Sequence, residues 1–131
     1  MTTVRLLLDT HAFVWWIADS CRLSDKSSRL IADESHDIFV SAASAWEMAT
    51  KYRLQKLPLP ELVAFDMAGA IAGQGFRELP IRVQDASLAG RLPSPHRDPF
   101  DRMLIAQSMA HGMALVSRDA VFDRYGVTRV W

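Results

Sequence analysis

Val4-Arg5-Leu6-Leu7-Leu8-Asp9-Thr10-His11-Ala12-Phe13 is an apolar run that stops at an acid and turns at once into helical spacing. Val4 to Leu8 lacks a polar–apolar alternation and reads as a strand buried on both faces, as in a sheet covered by helices on each side. Ala12, Phe13, Trp16 and Ile17 then mark one face of a short helix. The same change of period recurs down the chain. Ile38 to Val40 leads into a buried helix over Ala42 to Leu54, and Met113 to Ser117 leads into a turn of helix around Ala120 to Arg124. Strands that alternate with helices predict an α/β three-layer sandwich around a central, mostly parallel, twisted sheet.

Between these units the punctuation is equally regular. Ser24 is placed to cap a helix running to Ile31. Leu57-Pro58-Leu59-Pro60 closes the third helix, and Pro60 is suited to start another over Glu61 to Ala72 that ends at Gly73 and Gly75. Phe76 to Ile81, broken by Pro80, predicts an edge strand. Val83 to Leu92 reads as a helix and Pro93 to Arg97 as a loop. Pro99 to His111 is a strong helix closed by Gly112, and Gly126 precedes a last short strand, Val127 to Trp131.

The 131 residues, 50% of them hydrophobic, suffice for one core and predict a single domain over residues 1–131. Fifteen Lys and Arg balance fifteen Asp and Glu, so bulk charge neither advertises nor excludes a nucleic-acid partner. Cys21 is the only cysteine; it forms no disulfide within the chain, reads as a small apolar filler, and fits a reducing cytosol. Asp9, Thr10 and His11 interrupt the opening apolar run, which argues against a signal peptide, and no stretch is long enough for a membrane span. A soluble, cytoplasmic protein without a membrane role is expected.

Parallel strands place their carboxyl ends along one edge of the sheet, where open α/β folds bind ligands. Four acids fall at such strand-to-helix passages: Asp9, Glu47, Asp101 and Asp119. Each has a structural reading of its own. Ser44-Ala45-Trp46-Glu47 fits a capping box, Asp98-Pro99-Phe100-Asp101 fits a cap followed by a first-turn acid, and Asp9 and Asp119 fit helix caps. Caps need no carboxylate, however, since Ser, Thr and Asn serve as well. Four gathered carboxylates call for a cation, and hard oxygen ligands suit Mg²⁺ or Mn²⁺. Ions of that kind activate water and stabilise the leaving oxygen in phosphodiester cleavage.

The ordered set Leu6-Leu7-Leu8-Asp9-Thr10-His11, Ser44-Ala45-Trp46-Glu47, Asp98-Pro99-Phe100-Asp101-Arg102-Met103-Leu104-Ile105-Ala106-Gln107 and Leu115-Val116-Ser117-Arg118-Asp119 resembles the PIN-domain family, and specifically its VapC-like toxins. The resemblance covers nearly the whole chain. It implies a Mg²⁺- or Mn²⁺-dependent endoribonuclease that inhibits translation and growth, a homodimer, and a cognate antitoxin that neutralises it. It further implies that Asp9, Glu47 and Asp101 are the principal catalytic and metal-binding acids, with Asp119 completing the cluster and Ser117 steering water or an ion. Asp123, one helical turn beyond Asp119, and Thr10, beside Asp9, are secondary candidates.

For an RNA substrate, Arg91, Arg97, Arg102 and Arg118, with His96, are placed in sequence to grip phosphates; solvated or ion-paired arginines are the competing reading. His11, His36, His96 and His111 show no spacing for a shared metal. Adjacent Trp15 and Trp16 cannot point the same way, so one of them is expected at a groove or partner surface. Two other functions share parts of this pattern. A receiver-like Mg²⁺-binding phosphoacceptor wants its aspartate after a middle strand and a lysine after a late one, whereas Glu47 lies within a helix and Arg118 follows Ser117. A non-catalytic α/β binding module would use all four acids as caps alone.

Overall fold

The repeated passage from buried strand to helix builds one parallel sheet in the computed structural model, which describes residues 3–93 and 98–131. Among the described residues the strands are β1 (Arg5–Leu8), β2 (Asp37–Ser41), β3 (Arg77–Leu79), β4 (Ala114–Val116) and β5 (Arg129–Val130), in the order β3-β2-β1-β4-β5. Every neighbouring pair is parallel, with Leu7 level with Phe39 on one side and Leu115 on the other. The order reverses direction between β1 and β4. That reversal is a topological switch point, and the carboxyl ends of strands at such a point are where sheets of this kind bind ligands.

Helices α1 (Thr10–Ile17), α2 (Asp25–Ala32), α3 (Ala42–Arg53), α4 (Glu61–Phe65), α5 (Met67–Gly73), α6 (Val83–Arg91) and α7 (Pro99–His111), with a 3-10 helix over Ala120–Tyr125, connect the strands. They cover both faces. Leu6 and Leu8 point into one core with Phe13, Ile31, Met48 and Ile71, whereas Leu7 points into the other with Leu79, Leu104, Ile105 and Phe122. This explains the unbroken leucine run: alternate side chains face opposite apolar layers, so neither phase can be polar.

Four expectations need correction. The helix expected over Glu61 to Ala72 is two helices, because Asp66 leaves the helical conformation (φ −146°, ψ 69°) and its carboxylate accepts from Gly69 N at 3.0 Å. Asp side chains compete with the helix in this way, and a Cβ on Gly69 would meet Asp66 Oδ2 at 2.2 Å, so the small residue makes room for the cap. The last strand is confined to Arg129–Val130. Ser44 does not cap α3; Ser41 does, accepting from Ala43 N at 3.0 Å, which places Ser44 and Glu47 inside the helix. Cys21 is exposed rather than a core filler. The expected loop at Pro93 to Arg97 falls, beyond Pro93, outside the described residues.

Candidate active site

Asp9 follows β1 directly. Its backbone N–H continues the sheet by donating to Val116 O at 3.0 Å, and its Oδ1 accepts from Ala12 N at 2.7 Å to cap α1. The capping reading is therefore correct for Asp9, and the residue is buried, 8% exposed, at the carboxyl end of β1 beside β4. Burial raises its pKa to about 6, against the Ser117 hydroxyl and Ala12 N–H, which favour the charged form; the charges of Glu47 and Asp119 raise it further. Acids distant in sequence thus act on one another here.

Glu47 reaches the same region from the middle of α3 and is 4% exposed. Its two oxygens are held separately. Thr10 Oγ1 lies 2.5 Å from Oε1 of Glu47, to which it donates, and 3.0 Å from Ser44 Oγ; the ammonium of Lys51, one helical turn along α3, bonds Oε2. Thr10 therefore positions Glu47 rather than Asp9. Lys51 is a contact that the sequence reading passed over, although Glu47 and Lys51 stand at the i,i+4 spacing of a helical ion pair.

Asp98 caps α7 as expected, accepting from Phe100 N at 2.9 Å and Asp101 N at 3.1 Å, and so sets Asp101 in the first turn. Burial depresses the Lys51 pKa, but the hydrogen bond to Glu47 and the charges of Glu47, Asp98 and Asp101 outweigh it and leave the value raised. Lys51 therefore lies within electrostatic reach of the start of α7. Ser117 ends β4 fully buried, and its Oγ accepts from Asp119 N at 3.0 Å. Asp119 is exposed and caps the 3-10 helix by accepting from Val121 N at 3.0 Å.

Several other candidates have different work. Asp123 is exposed and engages Arg129 through both oxygens, at 2.9 and 3.0 Å, which holds its carboxyl below the usual range and commits it away from Asp119. Arg102 donates to the carbonyls of Ala89 and Leu92, tying α7 to the last turn of α6, where unpaired carbonyls attract a cation. Arg91 and Arg118 are exposed, whereas His96 and Arg97 lie outside the described residues. Trp16 donates to Gln74 Oε1 at 3.0 Å, and Trp15 packs edge-on to Trp131. Trp46 is the tryptophan that faces out, 61% exposed beside Phe100.

Among the described residues no three His, Cys, Asp or Glu side chains are gathered closely enough to form a ready chelate. The donor chemistry nevertheless fits a hard divalent cation: Asp9 is a buried carboxyl with two further acids in electrostatic reach, and the hydroxyl of Ser117 adds another oxygen.

The PIN domain family profile matches residues 6–127. Ribonuclease VapC22 of Mycobacterium tuberculosis is 33% identical over 120 residues, 91% of this chain and 88% of that protein. Two solved structures share the fold: VapC20 of Mycobacterium tuberculosis, described as a sarcin-ricin loop cleaving toxin, at TM-score 0.69 and 17% identity over 95% of this chain and 98% of that one; and VapBC2 of Rickettsia felis bound to a promoter DNA fragment, at TM-score 0.71 and 14% identity over 97% and 98%. An opening acid after β1, a second within α3, a third at the start of α7 and a fourth after β4 sit on this fold in the order that its sequence promised. The chain belongs to the PIN-domain family and, within it, to the VapC ribonucleases.

Proposed function

We propose that the chain is a Mg²⁺- or Mn²⁺-dependent endoribonuclease toxin, held in check by a cognate antitoxin, whose catalytic acids are Asp9, Glu47, Asp101 and Asp119. The observation that carries the site is the burial of Asp9 at the carboxyl ends of β1 and β4, within electrostatic reach of Glu47 and Asp119. Such a carboxyl is poised to exchange its proton for a cation. When bound there, a divalent ion supplies charge that activates water and stabilises the leaving oxygen of a phosphodiester. Asp9, Asp119 and Asp101 would hold it. Thr10 and Lys51 keep the Glu47 carboxylate oriented, and Ser117 steadies Asp9.

The exposed Arg91 and Arg118, with Arg97, are proposed to meet RNA phosphates, and Arg102 to brace α7 against the end of α6. Homodimerisation and antitoxin binding are proposed from the family. The receiver-like alternative is disfavoured by the strand order, because flavodoxin-like receivers use 2-1-3-4-5.

The test is incubation of purified protein with a mixed RNA pool in Mg²⁺, Mn²⁺ or EDTA, beside folded Asp9→Asn and Asp101→Asn proteins. Discrete cuts that require metal and fall at least about 100-fold in each variant are expected, the scale on which loss of one electrostatic catalytic group is felt. Cutting that persists in both variants would remove these acids from the mechanism. Where expression of the chain arrests growth, co-expression with a cognate antitoxin should restore it.

A further inference from the structure

Trp46 stands in α3 one residue before Glu47, and Phe100 stands in α7 one residue before Asp101. Their rings meet edge to face with centroids 4.8 Å apart, so the helices that carry two of the proposed acids touch at this point. Beside the pair lies a mostly apolar cavity of about 190 Å³, lined among the described residues by both rings with Gly90, Pro99, Arg102 and Met103. Trp46 remains 61% exposed there. Arg102 is fixed by the carbonyls of Ala89 and Leu92, so its planar guanidinium is built into the rim rather than swinging in solvent. Exposed Arg91 follows Gly90 directly and sets a second cation next to the cavity.

We propose that the Trp46–Phe100 cavity is a nucleobase subsite: it takes one unstacked base of a single-stranded RNA against the exposed tryptophan, with Arg91 at the adjoining phosphate. An apolar cavity of about 150 Å³ takes a benzene ring, so this one has room for a single planar ring system and not for a helix. A second copy of the chain fits it poorly, since a stable protein interface buries about 800 Å² on each partner and a ring-sized hollow supplies little of that. Aromatic faces and guanidinium planes are the surfaces on which splayed bases stack, and the cations beside them suit the phosphates that join those bases. The inference rests on the nuclease reading above and adds the place where the strand is gripped by a base.

The experiment titrates the full chain, as wild type, Trp46→Ala and Trp46→Tyr, with a mixed-sequence single-stranded twelve-nucleotide RNA in EDTA at low salt. Binding is read by anisotropy of the labelled RNA, stacking by tryptophan fluorescence, and oligomeric state by sedimentation. Trp46→Ala is expected to bind about tenfold more weakly than wild type, and Trp46→Tyr, which keeps an aromatic face, within about threefold. RNA should quench a share of the wild-type fluorescence that is lost in Trp46→Tyr although binding is kept, a readout that stands even if Trp46→Ala does not fold. The same strand annealed to its complement, its bases already stacked, should bind wild type and Trp46→Ala alike. Single-strand binding within twofold for wild type and Trp46→Ala would overturn the subsite and leave the acids to the cleavage test above. So would a loss of affinity that appears only because a wild-type dimer falls apart in Trp46→Ala, which would make the cavity a contact between copies. Absence of RNA binding by wild type would also overturn the subsite, whereas the nuclease reading falls only if metal-dependent cuts are absent as well.

Discussion

Burial gives Asp9 a proton affinity opposed to its proposed work, because the carboxyl must be ionised to hold a cation. Its pKa rises from 3.8 in the unfolded chain to about 6 in the folded one. Below pH 4 both states are protonated and the difference has no effect. Between pH 4 and 6 the folded chain keeps a proton that the unfolded chain releases, so stability falls as pH rises, and above pH 6 the full penalty remains. A shift of this size corresponds to about 3 kcal/mol. In EDTA, Asp9→Asn is therefore expected to be more stable than wild type at pH 8 by about 2 to 3 kcal/mol, with the gap closing towards pH 4. Asparagine can still accept from Ala12 N, so the cap of α1 survives the change. Urea melts at several pH values measure this, and a variant less stable than wild type at pH 8 would contradict the account. Cleavage by wild type should decline on the acid side as protons compete with the ion for Asp9, and the midpoint of that decline should move to lower pH as Mn²⁺ is raised.

The element that delivers Asp101 is α7, and its seat depends on a buried polar chain rather than on apolar packing alone. Gln107 Oε1 accepts from Ser41 Oγ at 2.5 Å, while its Nε2 donates to Pro80 O at 3.1 Å; Asp85, also buried, takes Arg82 N at 3.0 Å and faces His111 at 3.3 Å. These bonds join the ends of β2 and β3 to α6 and α7. Gln107→Leu keeps the volume but takes the acceptor from the Ser41 hydroxyl proton and the donor from Pro80 O, and is expected to destabilise by about 2 to 4 kcal/mol in a urea melt. A change below about 0.5 kcal/mol would show that the network relaxes. The start and end of α7 were legible in the sequence, since Asp98, Pro99 and Gly112 act through local backbone geometry. Other elements hid their reasons. Apolar spacing through Glu61 to Ala72 cannot reveal that Asp66 prefers its own turn, and the Ser44–Glu47 spacing imitates a cap although Ser41 starts the helix two turns earlier than Glu47. Strand-to-helix passages hold for Asp9 and Asp119, whereas Glu47 lies well inside α3 and Asp101 opens a helix that follows α6 rather than a strand; which neighbour serves which acid depends on contacts between residues far apart, with Thr10 holding Glu47 and Arg129 claiming Asp123.

At the scale of the whole molecule, a parallel sheet whose strand order reverses between β1 and β4 carries Asp9, with Glu47 and Asp119 in electrostatic reach of it, and cation binding at the site proposed there should be felt by the entire fold. A ligand that favours the folded state stabilises it by about 2.7 kcal/mol at a hundred times its Kd. Mn²⁺ at that excess is thus expected to raise the Tm of wild type by several degrees at pH 8 and to leave Asp9→Asn nearly unmoved; equal shifts in both would place the ion elsewhere. The margins of the sheet carry a last consequence. At one margin β3 is only Arg77–Leu79, with Arg77 and Glu78 exposed and Pro80 following; at the other, β5 is two residues whose Arg129 is clasped by Asp123. Short, charged borders give a passing strand little ladder to extend, so copies crowded together resist zipping into fibrils and association is left to side-chain surfaces, where a partner can be chosen and later released.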